Sequence, residues 1–182
     1  MAQKAVADIP LELIIVRHGE SEANVGRSAD PDCELTPNGL QQAKDLAARM
    51  RHWQLEGFRG LVSPYRRTRH TAEPITAATG ITFEVNPQIR EWGPNATVSG
   101  VHYPTETVED LIARLEAQFY SMAGRWMIIS HAAPIAIMTQ YALGQRCYQT
   151  QGEFWIPVQN CCARHIICPA DRPRHLPLCP SR

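Results

Sequence analysis

The stretch Leu13-Ile14-Ile15-Val16-Arg17-His18-Gly19-Glu20-Ser21-Glu22-Ala23-Asn24 constrains the fold more than any other. Its aliphatic and β-branched run predicts a buried strand over Leu11–Arg17. The apolar pattern stops at Arg17-His18-Gly19-Glu20, where reactive side chains begin. In an open α/β sheet, ligands sit beyond the carboxyl ends of the strands. Arg17 and His18 therefore stand where a site is expected.

The rest of the chain continues in α/β style. Thr36-Pro37 reads as a helix cap followed by proline at the first helical position. Leu40, Ala43, Ala47, Met50 and Trp53 follow at helical spacing. Leu61-Val62 is a short strand, and Ser63-Pro64 repeats the cap-then-proline signal for a helix reaching Thr79 and stopped by Gly80. Ile81–Val85 is a third strand, with Ile89-Arg90-Glu91 close behind. Residues 92–104 read as a loop. Val108, Leu111, Ile112, Leu115, Phe119 and Met122 form one helix face behind a Thr107/Asp110 capping box, with Gly124 as the stop. Trp126–Ser130 is a fourth strand, followed by His131 and a helix from Pro134 to Leu143. Phe154–Val158 and Cys162–Ile167 read as closing strands. This order predicts an α/β/α sandwich on a mostly parallel sheet over residues 1–168, with a Pro/Arg-rich tail over 169–182.

Bulk properties narrow the function classes. Lys+Arg and Asp+Glu balance at 18 each, which removes a bulk-charge argument for nucleic acid or an anionic membrane. No apolar run has the length of a membrane span, and Met1 to Pro10 lacks an apolar signal core, so a cytoplasmic location is expected. The six cysteines are too sparse for a disulfide scaffold and read as reduced thiols. Cys161, Cys162, Cys168 and Cys179 with His165 and His175 form a Cys/His-rich end, but no C-x-x-C pair occurs. Strand and tail thiols are the better reading there than a structural zinc. No metal and no cofactor is expected. Cys168 and Arg174 fit the C-x5-R spacing of cysteine-dependent phosphatases, but Pro169 and Pro173 lack the N–H groups that such a loop aims at phosphate.

Strand ends carry the chemistry: Arg17-His18, Ser63 with Arg67 one turn into a helix, Glu91, and His131. Right-handed crossovers bring such ends to one edge of the sheet. Phosphoryl transfer needs a forked donor for the non-bridging oxygens, which arginine supplies bidentately. It needs a neutral imidazole as nucleophile and a carboxylic acid to protonate the leaving oxygen. His18 is the expected nucleophile, in a set that has one candidate for each task.

The ordered motifs resemble the histidine phosphatase superfamily in its phosphoglycerate-mutase-like branch. Arg17-His18-Gly19-Glu20-Ser21-x-x-Asn24 resembles the signature, and Leu35-Thr36-x-x-Gly39 the start of the first helix. Ser63-Pro64-x-x-Arg67-x-x-x-Thr71-Ala72 is similar to the segment with the second phosphate-binding arginine. Glu106-Thr107 with Arg114, Ser130-His131 and Asn160 complete the series. The resemblance implies a phosphoglycerate mutase-like fold and a phosphohistidine at His18. It implies phosphoryl oxygens held by Arg17, Arg67 and His131, Asn24 at the pocket edge, and Glu91 as acid and then base. The implied partner is a small phosphorylated molecule such as a sugar phosphate or phosphoglycerate.

Three departures bear on function. Ala132 and Ala133 stand where the family usually has glycines, and their Cβ atoms are expected to narrow the phosphate pocket or shift the backbone. Position 70 is histidine where glutamine is usual, and His102 lies in the segment expected to cover the pocket. The segment between Glu91 and Glu106 is short, which favours an open, water-accessible pocket and hence a phosphatase over a phosphomutase. A catalytically impaired phospholigand-binding module is the reading from another class.

Overall fold

The computed structural model describes residues 10–143 and 159–168. The expected strand Phe154–Val158, the tail over 169–182, and Cys147, Cys179 and His175 lie outside the described residues. The elements in chain order are β1 (Leu11–Arg17), α1 (Pro37–Met50), β2 (Phe58–Val62), α2 (Arg66–Thr79), β3 (Phe83–Val85) and a 3-10 turn (Pro87–Ile89). They continue with β4 (Ala96–Val98), β5 (Val101–Tyr103), α3 (Val108–Ser121), β6 (Gly124–Ser130), α4 (Ala132–Ala142) and β7 (Ala163–Cys168).

A five-stranded sheet has the order β3-β2-β6-β1-β7. Its strands are parallel except for β7, which runs antiparallel to β1. β1 and β6 are central, and alternation decides which layer each side chain enters. Leu11, Leu13, Ile15 and Ile128 face a core built with Leu111, Leu115 and Phe119 of α3 and Ile135 and Met138 of α4. Ile14, Val16, Met127 and Ile129 face the opposite core, built with Ala43, Leu46 and Met50 of α1 and Ala72 and Ile75 of α2. Two-sided burial explains why β1 reads as an uninterrupted apolar run. The result is the expected α/β/α sandwich.

Several boundaries differ from expectation, each for a local reason. Leu40 and Trp53 are 41% and 39% exposed, because α1 turns its apolar stripe through Leu46 instead and ends before Trp53. The third strand begins at Phe83, since Ile81 turns into the core. α3 ends at Ser121, where Met122 becomes extended, and Gly124 (φ 82°) opens β6 rather than closing the helix. α4 begins at Ala132 with His131 at its N-cap, ahead of Pro134. The expected 92–104 loop contains a β4–β5 hairpin turned by Ser99 (φ 51°) and Gly100 (φ 82°). Two successive positive φ values are what a tight hairpin turn demands.

No helix among the described residues is long and apolar enough to cross a membrane. Cys33, Cys161 and Cys162 are free thiols. Cys168 closes β7, buried in the core.

Candidate active site

The parallel topology delivers the carboxyl ends of β1, β2 and β6 to one edge. There the backbone of His18 is held from several sides. Its N–H bonds Ser130 O at 3.1 Å, and its carbonyl accepts from Asn160 Nδ2 at 3.0 Å. The following turn passes very close to the start of α1. A Cβ on Gly19 would lie 2.5 Å from Gly39 O, and one on Gly39 would lie 1.9 Å from Glu20 O. Both glycines are therefore required by backbone approach. Thr36 bonds Glu20 and caps α1 at once, which ties the two segments together. Gly19 N–H donates to Thr71 Oγ1 of α2 at 3.0 Å.

These restraints fix the ring of His18, which is 2% exposed. Nδ1 donates to Gly19 O at 2.6 Å, since a carbonyl can only accept. Nε2 then carries the lone pair, and Arg67 Nε–H lies against it at 3.2 Å. Burial first, then the positive charges of Arg67 and Arg17, push the pKa from 6.5 to about 3. At neutral pH the ring is uncharged, with the Nε2 lone pair turned to Arg67.

Arg67 sits in the first turn of α2. That helix starts later than expected: Tyr65 is its N-cap, and Ser63-Pro64 do not cap it. Asp32, from the distant 25–34 loop, accepts the Arg66 N–H at 2.8 Å instead. Arg67 divides its donors among His18 Nε2, His131 Nδ1 at 3.2 Å and Pro31 O, with its guanidinium carbon 4.4 Å from the Tyr65 ring centroid. Ser63 is free for another task, and its Oγ lies 2.7 Å from His131 Nε2.

His131 is fully buried, its ring centroid 5.2 Å from that of His18. Burial, followed by Arg67, His18 and Arg17, holds its pKa well below 6.5. Glu91 approaches it, with Oε2 at 3.8 Å from His131 Nδ1. The Glu91 segment is anchored at both ends. Ser130 Oγ donates to Ile89 O at 2.7 Å. Arg114 donates to Gln88 O and Arg90 O while gripping Glu106 through two N–H groups. Arg90 adds a third bond to Glu106 at 2.9 Å. The Glu106 and Arg114 side chains are 7% and 8% exposed, so this pair is dry enough to act as a rigid brace. Burial raises the Glu91 pKa, outweighing the opposing pull of the Trp92 N–H and of Arg67, Arg17 and Arg114.

Arg17 ends β1 beside this group. Burial lowers its pKa, Glu91 opposes that, and it remains a cation. Asn24 is exposed at the rim; its Oδ1 accepts from Ser21 N–H and from Asn160 Nδ2, each at 3.1 Å. Asn160 thus ties Asn24 to the His18 backbone. His18, Arg17, Arg67, Glu91 and His131 are gathered at one place, and Asn24 at its edge.

Sequence reasoning read Ser63 as a helix cap and Thr71 as part of a motif, gave neither a contact in the site, and gave Asp32 no role. Ser63 carried a usable signal, its place at a strand end like the other reactive residues. Asp32 carried none, since its partners are remote in sequence. Ala133 is buried and joins the α3–α4 core. His70 pairs with Glu34 at 2.8 Å, and His102 is exposed on β5. No cluster of three or more His, Cys, Asp or Glu side chains among the described residues is arranged to hold a metal.

Known proteins resemble this chain in sequence and in fold. A family model described as histidine phosphatase superfamily (branch 1) matches residues 13–106. An adenosylcobalamin/alpha-ribazole phosphatase from Salmonella typhimurium is 36% identical over 83 residues, covering 44% of this chain and 40% of that protein. The chain spans about two fifths of the length of such curated relatives. A phosphoglycerate mutase from Bacillus anthracis superposes with a TM-score of 0.69 at 13% identity, covering 92% of both chains. A mycobacterial glucosyl-3-phosphoglycerate phosphatase superposes with a TM-score of 0.63 at 19% identity, covering 85% of this chain and 90% of that one. The last two are likenesses of fold. With the motif from β1 to Glu106 matched in order, the chain belongs to the histidine phosphatase superfamily, branch 1.

Proposed function

We propose that the protein hydrolyses phosphomonoesters through a phosphohistidine on His18. One observation carries this reading: a buried, neutral imidazole with its Nε2 lone pair turned to Arg67, beside His131 and a carboxyl group. In the first step Nε2 attacks phosphorus. Arg17, Arg67 and His131 hold the non-bridging oxygens, where charge accumulates. Glu91 gives its proton to the leaving alcohol oxygen as the P–O bond breaks. In the second step the Glu91 carboxylate takes a proton from water, whose oxygen attacks the phosphohistidine and releases inorganic phosphate. Each charge has a side chain to meet it, and no step calls on a metal.

A phosphatase reading is favoured over a mutase by the cap. The β4–β5 hairpin has three-residue strands and leaves Val101 52% exposed. A mutase must keep water away from its phosphoenzyme while the substrate is re-phosphorylated, and so compact a cover favours hydrolysis. The substrate class proposed is a small phosphorylated metabolite, in line with the named activities of the Salmonella and mycobacterial relatives. The test is phosphate release from a panel of phosphorylated metabolites in the presence of a chelator, alongside isomerisation of 3-phosphoglycerate. Phosphate release without isomerisation is expected; isomerisation without release, or phosphate binding with no turnover, overturns it.

Glu91→Gln is expected to slow hydrolysis of alkyl phosphates by about 10²–10³-fold, the range for removing a general acid. With p-nitrophenyl phosphate, whose leaving group departs unprotonated, the first step is much less affected. The raised pKa keeps the carboxyl protonated to higher pH than an ordinary glutamate. Wild-type kcat/KM therefore falls as pH rises through that pKa, and the variant lacks this limb. Pre-steady-state bursts with the two substrates over a pH series check both points.

A further inference from the structure

We propose that Ser63 is a positioning residue that fixes which nitrogen of His131 meets the phosphoryl group. The guanidinium of Arg67 has donors only. At 3.2 Å from Arg67 Nη2, His131 Nδ1 must present a lone pair, so the ring proton is on Nε2. Nε2–H then donates to Ser63 Oγ at 2.7 Å. Ser63 is itself immobile: it is fully buried, its N–H bonds Ile129 O at 3.0 Å, and its carbonyl accepts from Thr68 Oγ1 at 2.8 Å. The hydroxyl is thus presented by two elements, the end of β2 and the first turn of α2. The Tyr65 ring packs edge-on against the imidazole at 4.8 Å and restricts its rotation.

With Nε2–H committed to Ser63, Nδ1 is the nitrogen turned towards Arg67 and Glu91. This inference rests on the phosphohistidine reading. When a phosphoryl group takes over the N–H groups of Arg67, the freed Nδ1 lone pair takes up one proton. That proton comes from the substrate monoanion or from solvent; an N–H bond forms and an O–H bond breaks. The ring becomes an imidazolium with Nε2–H on Ser63 Oγ and Nδ1–H on a phosphoryl oxygen. The charged groups that act on it are Arg67 of α2, Arg17 at the end of β1, Arg114 of α3 and Glu91 after the 3-10 turn, with His18 alongside. The arginines oppose the imidazolium, and the phosphoryl anion offsets them. Ser63 contributes by giving the second N–H a buried acceptor, without which a buried donor is stranded.

The experiment is long-range ¹H–¹⁵N NMR of the histidine-labelled protein, with inorganic phosphate as the probe, together with kinetics. Without phosphate, His131 should carry its proton on Nε2 alone; with phosphate, both nitrogens should be protonated. Ser63→Ala should lower kcat about ten- to thirtyfold with a smaller change in KM, and should move the phosphate-bound imidazolium to lower pH by about one unit. Ser63→Thr keeps the hydroxyl and should restore both. Wild-type protein with the His131 proton on Nδ1 before phosphate is added overturns the proposal. So does a folded Ser63→Ala protein with wild-type kcat and an unchanged His131 titration. If Ser63→Ala does not fold, the wild-type spectra and Ser63→Thr decide. Spectra of His18→Ala with phosphate test Ser63 without turnover, so the inference can fail while the phosphohistidine reading stands, and the reverse.

Discussion

His18→Ala should abolish phosphomonoester hydrolysis, with kcat reduced by roughly four orders of magnitude or more, the scale seen when a covalent nucleophile is removed. Among the described residues the site offers no substitute. Ser63 Oγ is fully buried and engaged with His131 Nε2, on the side away from Arg67. His131 Nδ1 is held by Arg67 Nη2 and is assigned to a phosphoryl oxygen rather than to phosphorus. Rapid-quench labelling with a ³²P-phosphomonoester should show acid-labile, alkali-stable phosphate on the wild-type protein and none on the variant. A variant that still turns over at the wild-type rate would show that the nucleophile lies elsewhere. Binding should survive, because Arg17, Arg67 and the rim are untouched. An inactive variant that still binds inorganic phosphate separates loss of the nucleophile from loss of the pocket.

Arg67→Lys is expected to cost about 10²–10³-fold in kcat/KM although the charge is kept. The guanidinium serves His18 Nε2, His131 Nδ1 and Pro31 O from three different nitrogens while lying over Tyr65. An ammonium is a point donor and cannot reproduce that fork. Arg67→Ala separates geometry from charge. Arg67 is the second cause, after burial, of the depressed pKa of both histidines. Removing its charge lets both values rise, while burial keeps them below 6.5. The acid limb of the pH–rate profile, where a protonated His18 cannot attack, should therefore move to higher pH in Arg67→Ala and stay in place in Arg67→Lys. Identical acid limbs in the two variants would contradict the electrostatic assignment.

How far the sequence could be read depended on whether a signal was local. β1 was legible because two-sided burial leaves an unbroken apolar run, and its abrupt end located His18. The Thr107/Asp110 box was legible because both partners lie within one turn, and both reciprocal bonds form. Ser63-Pro64 misled for the complementary reason. A serine before proline usually caps a helix, but here the hydroxyl goes to His131 and a distant aspartate satisfies the helix start. The β4–β5 hairpin escaped because three-residue strands are too short to show a period, although Ser99-Gly100 is a turn signal. The gathering of His18, Arg67 and His131 followed from strand ends and handedness, whereas Glu91, expected at a strand end, is delivered by the 3-10 turn after β3. The tautomers did not, because each is set by a partner that only the fold supplies.

Asp32 has a consequence for anyone reshaping this pocket. It is buried, and its carboxylate takes the Arg66 N–H, the Ser99 N–H at 3.1 Å and the Arg66 side chain at 3.5 Å. One aspartate therefore rivets the loop at 25–34, the β4–β5 hairpin and the start of the helix bearing Arg67 into a single frame. The loop, the hairpin and the helix are accordingly coupled in one block. A hairpin that puts no N–H where Ser99 puts its own takes one donor from the buried carboxylate that also steadies the helix carrying Arg67. Exchanging the two walls together leaves the chemistry at the strand ends undisturbed.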